Sequence, residues 1–589
     1  MVDYFLVKTR KVILKRWQPV KIVYWFYMEK NENPKTQASL IWNIADILRG
    51  GWKQHEYQDV ILPLVVLKRL DSVLTKTKSE VLRVYGDMDG KVADLSPFLE
   101  QASGYKFYNT SPYDFKKLLD DSEGIYVNFI NYLDGYSPNV RDIIEKFDLA
   151  KQLNKLKGGK ILHLIVKELD KVDLTPEAVS NHDMGYIFEE LIRKFNEQSN
   201  ETAGEHYTPR EVIRLMVRLL LQPDAKRIKG ENKIIEMYDP AMGTGGMLTI
   251  GKEYIQTKIN PDAEVYLYGQ ELNPQTYAIA KSDILIKGED ANRIKGGGGE
   301  HAEDSTLSND QFYDKQFDYV IANPPYGTDW KKDRDAVEAE AARGSAGRFP
   351  AGTPAVSDGQ MLFMQHMISK MRAPHDGGGR VAVVHNGSPL FTGGAGSGPS
   401  EIRRWVLEND YLEAIVALPT NMFYNTGIAT YIWVLTNRKS PERKGKVQLI
   451  DASKIFHKLR KNLGDKNKEM TAGDIDEVYE LYEKFAQTKR SKIFDTQDFG
   501  YTQVTVLNGK EKDTENVPLG EDIDEYFKRE VLPHLPEAKL DRKKDKIGYE
   551  IPFNRHFYEY RPPRSLDKIN ADLQAVTKDI LKLLNEVTD

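Results

Sequence analysis

The spacing of apolar residues divides the chain into a helical part and a part in which strands and helices alternate. Residues 37–48 and 59–74 repeat apolar residues every three or four positions, which predicts amphipathic helices. Similar segments continue to about residue 195, separated by glycine and proline, with few strand patterns among them. We therefore predict a helical domain over residues 37–195.

From residue 233 onward, short apolar runs typical of buried strands alternate with helical segments. The expected strands are residues 233–238, 265–269, 317–322, 381–385 and 414–418. A hairpin is expected between residues 430–435 and 447–450. Strands that alternate with helices imply a mostly parallel sheet, and the hairpin would give it an antiparallel edge. The predicted fold class of residues 196–460 is therefore α/β, Rossmann-like and doubly wound.

The end of the chain combines a charged region with a regular helical seam. Residues 461–564 are charged and partly extended, although residues 440–500 are expected to be mostly helical. In residues 565–589, apolar spacings of three and four alternate without a break, which is typical of a coiled-coil helix. A helix packed on its own domain is the alternative. The seam residues are Leu566, Ile569, Leu573, Val576, Ile580, Leu583 and Val587.

Residues 1–36 are predicted to be an N-terminal extension. Lysine and arginine interrupt every apolar stretch in residues 1–27, which argues against a signal peptide. We expect natural translation to begin at Met28, and a basic amphipathic membrane helix is the alternative for the preceding segment. No apolar run reaches the length of about 18 residues needed to span a bilayer, so we expect no membrane partner.

Composition narrows the possible classes of function. At 589 residues the chain is too long for one core, and about two to four domains are expected. It has no cysteine, which excludes disulfides and thiolate metal sites and fits a reducing, cytoplasmic setting; we predict no metal site. The net charge of −5 argues against a protein that coats nucleic acid unaided. If the chain acts on DNA, another component should supply part of the grip.

Residues 318–327 carry the strongest chemical signal, Asp-Tyr-Val-Ile-Ala-Asn-Pro-Pro-Tyr-Gly. The proline pair, Pro324 and Pro325, ends the predicted strand, because proline can neither donate to a ladder nor continue one. Asn323 and Tyr326 are therefore expected at the carboxyl end of a strand, where open α/β sheets bind ligands. An amide and a phenol ring together suit a planar group with an exocyclic amine, such as a nucleobase. A simple turn is the alternative.

A glycine-rich turn follows the first strand of the predicted sheet. The segment from Asp239 reads Asp-Pro-Ala-Met-Gly-Thr-Gly-Gly, and its candidate ligand-binding residues are Gly243, Thr244, Gly245 and Gly246. Such a turn lets a ligand approach the backbone at a helix N-terminus. Its spacing departs from the dinucleotide fingerprint, and an acid precedes the glycines. Two phosphates would repel that carboxylate, whereas a cationic cofactor that carries an amino acid would not.

Two further acids are candidate ligands of a nucleoside. Glu271 is expected at the tip of the second strand, where an acid accepts from both ribose hydroxyls. A capping or solvated surface glutamate is the alternative. Asp304 follows a four-glycine loop, residues 296–299, and could accept from an adenine amine or be a plain turn aspartate.

The start of the helix at residues 211–221 is another candidate cofactor site, because free backbone N–H groups there suit a carboxylate. We predict Thr208 as its N-cap and Pro209 as its first helical residue. The candidate residues are Glu205, His206, Tyr207, Thr208, Pro209 and Arg210.

Two other segments, residues 331–354 and 393–400, lack apolar periodicity and are expected to be flexible loops.

In residues 419–425, Phe423 and Tyr424 could cover a base flipped out of a duplex, or they could be buried packing.

Taken in order, five motifs resemble an N6-adenine DNA methyltransferase whose cofactor motif precedes its catalytic motif. With the helical amino-terminal part and the carboxyl-terminal helix, residues 37–589 closely resemble the modification subunit of type I restriction-modification systems. Tyr326 stands where many such subunits carry Phe, and residues 303–306 depart from the Gly-Asp-Thr that the family often has. The motifs are Tyr207-Thr-Pro, Asp239-Pro-Ala-x-Gly-Thr-Gly-Gly, Gln270-Glu-x-Asn, Asn323-Pro-Pro-Tyr and Asn421-Met-Phe.

The resemblance implies S-adenosylmethionine as the methyl donor. Its methionyl group would lie near residues 207–210 and Asp239, its ribose on Glu271 and its adenine near Asp304. The side-chain oxygen of Asn323 and the carbonyl of Pro324 would accept the two N6 protons of a target adenine, with Pro325 and Tyr326 completing the catalytic motif. Tyr326 and Phe423 would stack on the flipped base.

The resemblance also implies partners. These are DNA, a specificity (S) subunit bound through residues 565–589, a second copy of the modification chain on the same specificity subunit, and a restriction (R) subunit. A self-contained adenine DNA methyltransferase is the nearest alternative. A methyltransferase acting on protein glutamine or ribosomal RNA, or an inactive cofactor-binding scaffold, would fit the chain less well.

Overall fold

The computed structural model describes residues 38–39, 41–156, 160–199, 208–298, 305–424, 426–558, 560 and 564–588. The predicted N-terminal extension, with its expected start at Met28, lies outside these residues. The chain divides into two compact units, the first ending at Ile551 and the second beginning at Pro552. No helix among the described residues is long and apolar enough to cross a membrane.

The amino-terminal part of the first unit is helical, as its apolar periodicity predicts. The helix Gln58–Leu74 lies at its centre, since almost all of its side chains are buried, including the cationic Arg69. Asp148, at a φ of 51°, separates the helix Pro138–Lys146 from the helix Leu149–Leu156. The helices are Ile44–Leu48, Gln58–Leu74, Lys78–Met88, Ser96–Ser103, Ile125–Asp134, Pro138–Lys146, Leu149–Leu156, Lys160–Asp170 and Asn181–Ser199.

Nine of the eleven strands between residue 234 and residue 495 form one sheet. The strands from residue 234 to residue 495 are β1 Ile234–Asp239, β2 Glu264–Glu271, β3 Ile294–Gly296, β4 Tyr319–Ala322, β5 Arg380–Asn386, β6 Leu412–Ala417, β7 Thr430–Thr436, β8 Lys446–Asp451, β9 His457–Leu463, β10 Lys466–Glu469 and β11 Ser491–Asp495. The sheet order is β11-β8-β6-β7-β5-β4-β1-β2-β3, whereas β9 and β10 pair with each other. From β1 the order runs outward on both sides, which confirms the doubly wound α/β fold.

The helices around the strands follow the predicted alternation. The helix Arg210–Leu221 packs against β4 and β5, and the helix Gly246–Tyr254 connects β1 to β2. The remaining helices of the first unit are Ala225–Ile228, Pro274–Ile286, Arg334–Ala341, Gln360–Ser369, Ser388–Phe391, Gly398–Glu408, Ala472–Lys484 and Ile523–Tyr526.

The hairpin predicted between residues 430–435 and 447–450 is wrong. β7 lies inside the sheet, antiparallel to both β5 and β6, and β8 pairs in parallel with β6. All seven residues of β7 are buried, as expected for a strand covered on both faces. Periodicity along the chain identifies such a strand but does not identify its neighbours, so sequence adjacency was a misleading guide. The antiparallel edge is β11, which pairs with β8.

The flexible loop predicted for residues 331–354 is also wrong. This segment contains the helix Arg334–Ala341 and short turns of 3-10 helix on both sides. Trp330, Val337 and Phe349 are buried in a small apolar cluster with Leu307. These anchors are too far apart in sequence to give a periodic pattern, which explains the error. The second expected loop, residues 393–400, likewise contains the first residues of the helix Gly398–Glu408.

Residues 440–500, predicted to be mostly helical, contain four strands and one long helix, Ala472–Lys484. The sheet therefore continues past residue 460 to β11. Tyr482 of that helix donates to the carboxylate of Glu413 at 2.8 Å, and the guanidinium of Arg380 donates to the same oxygen at 2.6 Å. This buried network ties the helix to the strands β5 and β6.

The last part of the first unit is a small antiparallel sheet, in the order β13-β12-β14. Its strands are β12 Gly500–Asn508, β13 Glu511–Pro518 and β14 Lys539–Tyr549.

The second unit contains the helices Phe553–Phe557 and Leu566–Thr588, so the predicted carboxyl-terminal helix is present. Its apolar seam is exposed, with 77% of Leu566, 60% of Leu573 and 51% of Ile580 accessible.

Candidate active site

The candidate site lies where the order of strands reverses direction. β1 and β4 are parallel neighbours, with Tyr238 beside Val320, while β2 lies beyond β1 and β5 lies beyond β4. A crevice forms at such a point outside the carboxyl ends of the strands. Asp239 and Asn323 stand at those two ends, on strands about 4.8 Å apart. The structure therefore brings the glycine turn and the Asn-Pro-Pro-Tyr motif to one edge of one sheet.

The glycine turn has a backbone that only glycine adopts readily. Gly243 and Gly245 have φ angles of 55° and 83°, and Gly245 immediately precedes the helix Gly246–Tyr254. The N–H of Gly243 donates to a carboxylate oxygen of Glu271 at 2.8 Å, and the N–H of Asn273 donates to the other at 2.8 Å. Glu271 is thus held in a fixed position beside the turn, at the end of β2 as predicted.

Asp239 and Glu271 form a pair of neighbouring acids. Asp239 is only 1% exposed, and its carboxylate accepts from the N–H of Ala241 at 3.0 Å. Burial raises the pKa of Asp239 well above its usual value; the hydrogen bond from Ala241 opposes this shift and the negative charge of Glu271 adds to it. A cationic ligand would offset both the cost of burying the Asp239 charge and the repulsion between Asp239 and Glu271. The pair therefore favours a ligand that carries positive charge.

Asn323 is held by Thr208. The amide nitrogen of Asn323 donates to the hydroxyl oxygen of Thr208 at 2.9 Å. The prediction that Thr208 caps the following helix is wrong, because that helix begins at Arg210 and Pro209 occupies the N-cap position. Thr208 instead contacts the Asn-Pro-Pro-Tyr motif, and the contact orients the Asn323 amide with its nitrogen toward the Thr208 hydroxyl.

The other residues predicted near this helix start have different placements. The guanidinium of Arg210 lies 5.6 Å from the centre of the Tyr186 ring, so its side chain contacts the amino-terminal helices. Pro209 is buried. The predicted ligands Glu205, His206 and Tyr207, as well as Asp304, lie outside the described residues.

Neither aromatic ring predicted to stack on a base has an open face. Tyr326 is 5% exposed and Phe423 is 1% exposed. Phe423 belongs to the main apolar core together with Met422, which agrees with the packing alternative stated for it. Burial raises the pKa of Tyr326 above its ordinary value, and a hydrogen bond with Asn323 acts in the opposite direction. Stacking on either ring therefore requires neighbouring groups to move.

Sequence reasoning missed Arg348, which secures the segment after Asp304. Its guanidinium donates to the carbonyl oxygens of Thr306 at 2.7 Å and Leu307 at 2.8 Å. It also forms an ion pair with Glu340 at 2.6 Å. The hydroxyl of Thr306 in turn donates to the carbonyl of Pro240, in the glycine-turn segment, at 2.6 Å. An arginine in a charged, aperiodic stretch gives no sequence signal of this role.

Gln270 adds a second tie to the same region. Its amide nitrogen donates to the carbonyl of Asn309 at 2.8 Å, and its oxygen accepts from the N–H of Gln311 at 3.3 Å.

Among the described residues, no group of three or more His, Asp and Glu side chains could hold a metal ion.

Two family models match the chain. The model described as N-6 DNA Methylase matches residues 179–512, which is more than half of the chain and includes β1 to β11. The model described as HsdM N-terminal domain matches residues 38–169, within the helical part.

Two curated relatives match over most of their length. The type I restriction enzyme MjaIX methylase subunit of Methanocaldococcus jannaschii is 25% identical over 498 residues, covering 80% of this chain and 80% of the relative. The HindI methylase subunit of Haemophilus influenzae is 26% identical over 438 residues, covering 71% of this chain and 88% of the relative.

Solved structures share the fold. A type I restriction-modification methyltransferase subunit from Streptococcus thermophilus superposes with a TM-score of 0.63 at 24% identity, covering 79% of this chain and 97% of that chain. A chain from a structural study of type I restriction-modification assembly and conformational transition superposes with a TM-score of 0.50 at 18% identity, covering 94% of this chain and 98% of that chain.

Proposed function

Since the chain belongs to the N-6 DNA methylase family, we propose that it transfers a methyl group from S-adenosylmethionine to the N6 nitrogen of adenine at specific DNA sites. We further propose that it acts as the modification subunit of a type I restriction-modification complex, as its relatives are named. The observation that carries the proposal is the meeting of the acid-flanked glycine turn and Asn323 at the carboxyl ends of β1 and β4. A cytoplasmic location fits a DNA substrate and a chain without cysteine.

The residues of the turn fit this cofactor. S-adenosylmethionine carries positive charge and supplies an electrophilic methyl group when it is bound. Asp239 is buried and its pKa is raised, so it suits the cationic part of the cofactor. The helix start at residues 208–210 suits the carboxylate of the cofactor. Glu271 is fixed by two backbone N–H groups, and a carboxylate has about four acceptor sites, so it can also accept from ribose hydroxyls. Asp304 is assigned to the adenine on the resemblance alone.

Asn323 would prepare the target nitrogen for attack. An exocyclic amine is a poor nucleophile because its lone pair is delocalised into the ring. The hydrogen bond to Thr208 uses the amide nitrogen of Asn323, which presents the amide oxygen as the acceptor for one N6 proton, and the carbonyl of Pro324 would accept the other. The nitrogen then moves toward sp³ geometry without a strong base. Alignment of two bound reactants can supply about 7 to 11 kcal/mol of catalysis.

Extrusion of the target base costs a few kcal/mol of unstacking. Stacking on an aromatic ring returns about 1 to 3 kcal/mol per base. Tyr326 follows directly from the catalytic prolines, so we assign it this role once its covering groups have moved. Phe423 would then support the loop from within the core rather than contact the base.

The substitution Asn323→Ala tests the assignment. It should abolish incorporation of tritiated methyl groups into DNA, because the acceptor for the N6 proton is removed along with the bond to Thr208. Cofactor affinity should stay within about twofold, because Asp239, Glu271 and the glycine turn are unchanged. The control Asn409→Ala alters an exposed asparagine after the helix Gly398–Glu408 and should keep full activity. Full activity of Asn323→Ala would refute the catalytic role, and label that enters protein instead of DNA would refute the substrate.

The partners follow the same reasoning. We propose that the exposed apolar seam of the helix Leu566–Thr588 packs on helices of a specificity subunit, two modification chains to one specificity chain, with a restriction subunit added for cleavage. Deletion of residues 565–589 should abolish assembly, measured by size-exclusion chromatography with light scattering. Cofactor binding should survive, because the candidate site lies in the first unit. Normal assembly of the truncated chain would reject this role for the seam.

A further inference from the structure

The strands β9 and β10 form a basic hairpin, defined here as residues 454–469. Its charged residues are Lys454, Lys458, Arg460, Lys461, Lys466 and Lys468, against Asp465 and Glu469. A surplus of positive charge at one place stands out in a chain whose net charge is −5. Such a cluster could be only a solvated surface, so its position and its pairing decide what it can do.

The tip of the basic hairpin is bonded to the loop after β6. The N–H groups of Asp465 and Asn467 donate to the carbonyl oxygens of Tyr424 at 2.8 Å and Asn421 at 3.1 Å. The side chain of Asn421 donates back to the carbonyl of Asp465 at 3.2 Å. The hairpin and the loop after β6, which includes Phe423, therefore form one wall.

A second attachment leads to the catalytic asparagine. Lys466 is buried and forms an ion pair with Glu211, in the first turn of the helix Arg210–Leu221. Thr208, which accepts from Asn323, lies three residues before Glu211, immediately outside the first turn of this helix. The tip of the hairpin is thus held close to the place where the target base would enter.

The outer cations of the hairpin have no acidic partner within the part of the chain that the structure describes. Lys458, Arg460 and Lys461 are exposed, and none forms an ion pair with a described residue. β9 pairs with β10 at Leu463 and again at Lys458, so residues 459–462 lie opposite the single residue Asn467. A bulge of this kind redirects side chains away from the ladder. Arg460 and Lys461 are therefore available to a ligand outside the fold.

We infer that the basic hairpin binds the phosphate backbone of the DNA duplex beside the target base. This inference rests on the proposed function, because a base that reaches Asn323 brings its flanking phosphates to the same wall. Arg460 can bind a phosphate through two parallel N–H groups, and Lys461 can bind one as a point charge. The chain then contributes contacts of its own that position the duplex but read no sequence.

The test is a paired set of double variants in the full complex with the specificity subunit. Arg460→Ala with Lys461→Ala removes two cations from the bulge, and Lys543→Ala with Lys544→Ala removes two exposed lysines from β14 as a matched control. DNA affinity is measured by fluorescence anisotropy between about 50 and 200 mM salt. Each lost phosphate contact lowers the salt slope by about 0.9, so the hairpin variant should lose roughly tenfold less affinity across this range than the wild type.

The control should keep the wild-type slope, and both variants should assemble and bind cofactor normally. An unchanged slope in the hairpin variant would overturn the inference. Loss of assembly would also overturn it, because the surface would then belong to a protein partner, and so would an equal change in the control. A wild-type complex that shows the expected slope but transfers no methyl group would refute the proposed function and leave the DNA contact standing.

Discussion

Replacing Arg348 by lysine should loosen the cofactor side of the site while the sheet stays intact. The guanidinium serves four partners at once: the carboxylate of Glu340, the carbonyls of Thr306 and Leu307, and the ring Nδ1 of His366 at 3.1 Å. Although burial acts against it, Arg348 holds the pKa of Glu340 below its usual value. A lysine ammonium has one position and can replace part of this set. Each lost bond from a charged donor costs about 1.5 to 3 kcal/mol, so we expect a total near 3 kcal/mol.

The cost should appear as weaker cofactor binding. Thr306 is bonded to Pro240 in the glycine-turn segment, so freeing residues 305–307 leaves the turn to be ordered by the ligand itself. If half of the cost is expressed in this way, the KM for S-adenosylmethionine rises about tenfold, whereas kcat at saturating cofactor changes little.

Steady-state methylation assays at varied cofactor separate these constants, and isothermal titration calorimetry gives cofactor affinity directly. The control is Arg334→Lys, which alters an exposed ion pair with Glu338 on the neighbouring helix Arg334–Ala341 and should change little. The variant Glu340→Gln should reproduce a smaller part of the Arg348→Lys effect. A fall in kcat with unchanged cofactor KM would refute the reasoning, because it would place Arg348 in the chemical step.

Two further predictions concern pH. The pKa of Asp239 is raised by burial and by Glu271, so cofactor binding should favour its ionised form and release a proton; calorimetry in buffers of different ionisation enthalpy should detect that proton, and Asp239→Asn should release none. The pKa of Asp71 is raised to about 6 by burial, against a hydrogen bond from the N–H of Phe115. The protonated carboxyl of Asp71 contributes stability that is complete below about pH 4 and is lost as pH rises through about 6, up to about 3 kcal/mol. Asp71→Asn should therefore flatten the decline in melting temperature between about pH 4 and 6.5.

The positions of Asp239, Glu271 and Asn323 could be predicted because each follows a short apolar strand. Parallel strands end at a common edge, so identifying the strands was enough to bring these side chains together. Thr208 was assigned to the correct region but to the wrong contact. A threonine before Pro-Arg has the pattern of a cap, and only the folded chain shows Asn323 within reach of its hydroxyl.

What the sequence did not reveal depends on contacts distant along the chain. β7 has the composition of an interior strand, but its place between β5 and β6 is decided by packing with partners far apart in sequence. Arg348 reaches back about 40 residues to Thr306 and Leu307, and no local pattern records such a bond. The strand β9 is mostly polar and exposed, so it lacked the apolar alternation by which strands are recognised.

The insertion of β7 between two earlier strands also affects how the chain can be synthesised. β5 ends at Asn386 and β7 ends at Thr436, so the ribosome must add the intervening residues before β5 gains its second neighbour. At about 5 to 20 residues per second this leaves an apolar strand edge open for roughly 3 to 10 s in every nascent chain. Open strand edges template aggregation. We therefore expect the yield of native protein to depend on growth temperature and chaperone supply more strongly than on changes at its surface.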